Sequence, residues 1–331
     1  MKDINMASSA RAFGRLRLGK GVYIAQGTVV RSNSDSLKMD NSSWALENSV
    51  LIGNKEHPLA VGSKTVFGHR CIAIGVEIGN LCEIGNSCIF MPGSKVGDMC
   101  IFGEGTLIPE DFIVPEGSVV VGKPGRIIRK LTDADKAMIQ RMRGGDTTIV
   151  PFEEHILDFA DTLEPEEDRM KNLFEYKGKL PVIADSATIY DTAEITGDVV
   201  VGENTVIASG VKIIGNSHGP VRIGNNVQIL ENTVLHLLPD NQLLIKDHVT
   251  IGPGCMIHGT TIGENSIIEP GAIVCDYSHL GQNSLVKAGS LVKQRSRFED
   301  NDIIRGYPAK KIGESRVPLE RPLWAVRNQM R

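Results

Sequence analysis

Two histidines, His236 and His258, lie twenty-two residues apart in LHLLPDNQLL-IKDHVT-IGPGCM-IHGTT, between Leu235 and Thr261. The stretch is built of six-residue units, with one ten-residue unit that carries four extra residues. Without those four the separation is eighteen, or three hexads. If three hexads make one coil of a parallel β-helix, the two imidazoles stack on one face in neighbouring coils. That is about one strand spacing, ~4.8 Å. Neutral imidazole is the commonest metal ligand, so a stacked pair begins a metal site and asks for a third ligand. His57, His155, His218, His248 and His279 are read as surface or internally satisfied residues. The six cysteines form no CxxC pair. Cys71, Cys82, Cys88, Cys100 and Cys255 fall on the fifth position of their hexads, which otherwise holds Ser, Thr, Val or Ala. They are read as small, reduced core residues.

The elements that must position the histidines follow from the repeat. From Leu18 the hexads run LGKGVY and IAQGTV, pass an irregular insert at Val30 to Trp44, and resume to a prism end near Pro115. They restart at Ile183. An aliphatic residue or Phe opens nearly every unit, and Gly, Asn or Asp at the next positions suits the bends between flat faces. A single hexad cannot bury its aliphatic alone, so stacking supplies the core. The expected fold is all-β: two left-handed parallel β-helix prisms with accessory helices. The expected domains are residues 1–145, a first prism closed by a helix from about Asp133 to Arg143; 146–180, an acidic helical linker; 181–311, a second prism; and 312–331, a tail rich in Arg and Pro. Thr132 and Asp135 resemble a capping box for the helix. The tail is read as a surface strap or a partner-docking segment.

The halves are copies. Each contains a ten-residue unit, two hexads and a five-residue unit in that order. An offset of 184 carries Ala45 onto Ile229, Gly122 onto Gly306 and Pro124 onto Pro308. Glycine is abundant at 35 residues and aromatics make up 5%, which suits tight turns around a repetitive core. A net charge of -4 gives no pull toward nucleic acid or membrane. No apolar run approaches the ~18 residues of a membrane span. The N-terminal MKDINMASSARAFGRLRLGK has no apolar secretory core, and Asp3 argues against a transit peptide. A cytoplasmic location is expected.

The second half resembles the γ-class carbonic anhydrases and their hexapeptide-repeat relatives, through PVIADSATI, RIGNNVQILENTVLH, the HG before a short unit, and GYPAK. The first half carries the matching ENSVL and GKPGR. The resemblance implies three histidines on zinc at the seam between two prisms of a trimer, two from one prism and one from its neighbour. The paired ligands match His236 and His258, while the third position falls on Pro253. In the first half the paired positions fall on Ile52 and Ile74, and the third on His69. One chain therefore holds one full set, His69 with His236 and His258, for a seam between unlike prisms. The family's Arg-x-Asp motif falls on Arg31 and Asn33 in the first half and on Ile214 and Asn216 in the second. Arg31, Asn33 and Asn216 are the candidates for supporting the site. The family's water-orienting Gln falls on Leu46 and Leu230.

Three functions stay open. One is a carbonic anhydrase-like lyase acting on CO2 and bicarbonate through zinc, or iron or cobalt in its place. Another is an acyltransferase using acyl-CoA, with His236 or His258 as base and Lys287, Lys293, Arg295 and Arg297 near the phosphates. The last is a non-catalytic assembly subunit. The expected partners are copies of the chain or another γ-type chain, with no nucleic acid and no membrane span.

Overall fold

The computed structural model describes residues 4–159, 172–215 and 219–326. The chain divides into two compact units, Met1–Thr162 and Leu163–Arg331. Each is a left-handed parallel β-helix whose short strands stack into three faces, and the strands of successive coils run parallel within each face.

The hexad explains the coil. In VGSKTV-FGHRCI the opening Phe67 points into the core and Val66 before it lies half-buried on the outside. The same inward position holds Ala45, Leu51, Val61, Ala73, Ile84, Phe90, Phe102 and Val120, one contiguous core. Phe67, Phe90 and Phe102 meet edge to face at 6.3 and 5.0 Å, geometry that aromatic quadrupoles favour. The fourth hexad position turns the corner with positive φ, and Asn often fills it, as at Asn204, Asn226, Asn265 and Asn283. Asn tolerates that backbone better than most residues. The fifth position sends a small donor to the coil above. Thr65 Oγ1 donates to Gly79 O at 2.7 Å, and Thr233 Oγ1 to Gly252 O at 2.9 Å. Cys82 and Cys88 make the same contact through Sγ, each at 3.3 Å. The cysteines are thus built in as hydroxyl substitutes, and all six are free thiols.

The copies end alike. Each unit closes with an antiparallel strand, Arg126–Lys130 in the first and Ala309–Glu314 in the second. The register slips between Val119 and Val120, and again between Ile303 and Ile304, at the 184-residue offset. The segment after each closing strand then covers one face of its unit. In the first unit the cover is the helix Asp133–Met142, with Ile139 fully buried and the Thr132–Asp135 capping box formed. Arg143, which caps the helix rather than extending it, reaches Glu83 at 2.6 Å and donates to Lys64 O. In the second unit the cover is the tail. Asn283 holds Val317 and Leu319, and Gln228 pairs with both backbone groups of Val326 at 2.7 and 3.0 Å. Trp324 and Ala325 are buried beneath it. The tail is a strap through residue 326.

One expectation needs correction. The insert Val30 to Trp44 does not interrupt the first prism. Val29–Ser32 and Leu37–Met39 pair with their neighbours as any coil does. A tight turn with positive φ at Ser34 and Asp35 replaces the usual corner and breaks the hexad spacing. The helical linker expected at 146–180 falls in part on residues 160–171, which lie outside the described residues. Among the described residues of that range there is no helix. His155–Phe159 runs antiparallel to Arg11–Leu18, and Leu173–Phe174 already belongs to the second unit. Glu154 and Asp158 pair with Arg17 and Arg15 of the long strand. The acidic residues Asp161, Glu164, Glu166, Glu167 and Asp168 lie outside the described residues.

Candidate metal centre

The two imidazoles of the second unit are held by its sheet. Strands Val234–Leu235 and Met256–Ile257 pair with Leu235 beside Ile257, both fully buried. Side chains alternate along a strand, so the next residue of each, His236 and His258, turns to the outside at the corner. Their backbone N–H groups continue the ladder, to Ile257 O at 2.9 Å and Val274 O at 2.8 Å. The ring centroids are 6.1 Å apart at 87°. Metal–nitrogen bonds of ~2.1 Å at tetrahedral angles bring two such centroids to ~5 Å. The observed pair is wider than that, so a shared metal requires the rings to turn toward each other.

Asp276 completes this corner, and the sequence reading missed it. It stands eighteen residues after His258, one coil further on. Its side chain is 7% exposed, and Oδ2 lies 3.2 Å from His258 Nδ1. Oδ1 accepts hydrogen bonds from Leu238 N, Gly259 N and Asn241 Nδ2. Leu238 N and Asn241 Nδ2 fold the ten-residue unit over the carboxylate. A Cβ on Gly259 would stand 2.2 Å from Asn241 Nδ2, so a side chain there would push the Asn241 amide off Asp276.

His69 sits in the first unit, after the strand Val66–Phe67. Its side chain is 52% exposed, and Nδ1 lies 2.7 Å from Glu47 Oε2. Asn86 Oδ1 accepts from its backbone N–H at 2.7 Å. Like His258, it therefore has a carboxylate on Nδ1. Ile52 and Ile74 occupy the paired positions of that unit and are fully buried. Arg31 is buried in the same column, in register with Ile52. It belongs to the unit that lacks the paired histidines. Asn33 lies in the tight turn, where its backbone carbonyl accepts from Ser36 Oγ at 2.7 Å. Asn216 and His218 lie outside the described residues. Leu230 is fully buried, so no polar side chain stands at that position. Among the described residues, no group of three or more His, Cys, Asp or Glu side chains gathers as a metal cage within one chain.

The basic residues considered for a CoA phosphate differ in their surroundings. Lys287 pairs with the buried Glu269 at 2.5 Å, Arg295 lies over the Tyr277 ring at 5.0 Å, and Lys293 and Arg297 are exposed. No helix among the described residues is long and apolar enough to cross a membrane.

Comparison with known proteins fits this architecture. The bacterial transferase hexapeptide (six repeats) family matches residues 244–276. A Geobacillus kaustophilus protein named carbonic anhydrase is 47% identical over 142 residues, 43% of this chain and 78% of that protein. Gamma carbonic anhydrase 1, mitochondrial, of Arabidopsis thaliana is 28% identical over 146 residues, 42% of this chain and 53% of its own length. A hexapeptide transferase family protein from Anaplasma phagocytophilum is 31% identical, with 44% of this chain and 86% of that chain covered at a TM-score of 0.43. With its stacked hexads, its duplicated halves and its relationship to the Geobacillus protein, the chain belongs to the γ-class carbonic anhydrase-like branch of the hexapeptide-repeat family.

Proposed function

We propose that the chain is a metal-binding γ-type carbonic anhydrase-like protein that hydrates CO2. His236 and His258 of one copy and His69 of a neighbouring copy, or of a related γ-type chain, hold zinc, or iron or cobalt in its place. The observation that carries this reading is the imidazole pair on adjacent coils, 6.1 Å between centroids. Bound zinc would supply Lewis acidity, enough to bring the pKa of a water to about 7. The protein's part is to present three imidazoles and exclude competing donors. Glu47 orients His69, while Leu235 and Ile257 anchor the backbone under the pair. Where the family has a water-orienting Gln, Leu46 and Leu230 offer no hydrogen bond, so turnover is expected to be slow. Reduced thiols in the core fit a cytoplasmic setting.

The complement of defects gives the test. His69→Ala and His258→Ala should each lose zinc by elemental analysis. Co-expressing the two variants should restore part of it, because one copy still brings His69 and the other still brings His236 and His258. An unaltered protein that stays metal-free in zinc-replete cells would end this reading. Zinc without CO2 hydration would leave an assembly subunit.

A second reading is favoured by the hexapeptide transferase family match over residues 244–276. A histidine beside a buried carboxylate, as His258 lies beside Asp276, also serves as a general base in acyl transfer. Stabilisation by CoA at millimolar concentration, without bound metal, would select it.

A further inference from the structure

We infer that Asp276 is a positioning residue that sets the tautomer of His258, keeping the proton on Nδ1 and the lone pair of Nε2 facing outward. The inference rests on the metal-binding reading for its use and on separate observations for its content. His258 Nδ1 is sealed from solvent and forms no aligned hydrogen bond among the described residues, yet Asp276 Oδ2 stands 3.2 Å away. The carboxylate cannot turn. Its other oxygen is held by three donors, Leu238 N at 3.0 Å, Gly259 N at 3.1 Å and Asn241 Nδ2 at 3.2 Å. An ionised carboxylate only accepts, so the neutral imidazole facing it is favoured with hydrogen on Nδ1. Metal-ligating histidines are commonly fixed this way by a carboxylate on the far nitrogen.

The duplicated halves act as an internal control. Where His258 becomes Ile74, Asp276 becomes Pro92 at the same offset. Glu47 makes no such distinction, since Glu231 persists opposite Pro253. The carboxylate of Asp276 therefore travels with the histidine it faces. Two of its three fixed donors, Leu238 N and Asn241 Nδ2, lie in the ten-residue loop, so loop and imidazole share one anchor.

The pinned oxygen makes Asp276→Asn informative. The three donors require an acceptor, so the new amide must keep its oxygen toward them and aim its NH2 at His258 Nδ1. That reverses the preference and puts the ring proton on Nε2, where it blocks a metal. The readout is 15N chemical shifts of labelled histidine in the metal-free full chain, near pH 8.5, about two units above the ordinary imidazole pKa. The unaltered protein should show His258 protonated on Nδ1, and Asp276→Asn should show it on Nε2. Cobalt affinity, titrated by absorption, should fall roughly 10–100-fold. Asn241→Ala loosens the loop but leaves the carboxylate, and should retain the Nδ1 tautomer. The same tautomer in the unaltered protein and in Asp276→Asn would overturn the inference, as would a switch in Asn241→Ala alone. A tautomer switch in a protein that binds no cobalt would uphold it and sink the metal reading instead.

Discussion

Arg143 places its guanidinium 2.6 Å from Glu83, with the two side chains 9% and 12% exposed. Burial pushes the Glu83 carboxyl up and Arg143 pulls it down, and the net direction is upward. Removing the arginine leaves a buried carboxylate with no counter-charge, which costs far more than the pair contributes. Arg143→Ala should therefore lower stability by about 3 kcal/mol in chemical denaturation. A change within error would show that water reaches Glu83 freely. At this scale the sequence was unevenly readable. His236 and His258 stood out because hexad spacing says which side chains share a corner. Asp276 did not, because Asp is also an ordinary turn residue and looks the same in that role. Nothing in a hexad count reveals that the ten-residue unit folds its N–H groups over one carboxylate.

The helix Asp133–Met142 shows how an element is tied down by charge. Asp135 accepts from the Thr132 backbone N–H at 2.7 Å and pairs with Arg129. Asp146 takes a hydrogen bond from Lys64 Nζ at 2.8 Å, with the Thr148 N–H as its second donor, and its pKa drops to about 2. Asp135 is depressed further, chiefly by its hydrogen bond from Arg129. Groups depressed in the folded state contribute fully above the unfolded carboxyl pKa of ~3.9 and lose that contribution as pH falls through the folded value. Between pH ~4 and about 2, amide exchange in the helix should accelerate relative to the coils. Asp146→Asn should begin fast and change less across that window, with only the Asp135 contribution still being lost. Equal pH dependence in both proteins would remove Asp146 from the anchor. The helix was legible through its cap. The strand His155–Phe159 was not, because its acidic neighbourhood drowned the two-residue alternation of HILDF against RLRL. Only the partner strand makes that alternation meaningful.

For each unit as a whole, the core was legible and so were its covers, the helix and the strap, but not the contacts that seat them. Stacked apolar hexads specify coils, since each coil's inward residue has a neighbour above and below. The cover over an outer face depends on segments with no repeat at all. Trp324, 4% exposed, is the deepest large side chain of the strap. Trp324→Ala should cost about 3 kcal/mol and release the Gln228–Val326 hydrogen bonds, seen as faster exchange at the Val326 amide. An unchanged denaturation midpoint would make the strap an ornament of the second unit. The reversed closing strands carry a different consequence. A stack of parallel coils is an open template, ready to accept one more rung from any chain that offers it. Arg126–Lys130 and Ala309–Glu314 run the other way and line the last edge with basic side chains. On that face neither solenoid can add a parallel rung without displacing its closing strand. A circuit inserted within the stack would leave that lid in place, whereas one added at the end would have to remove it.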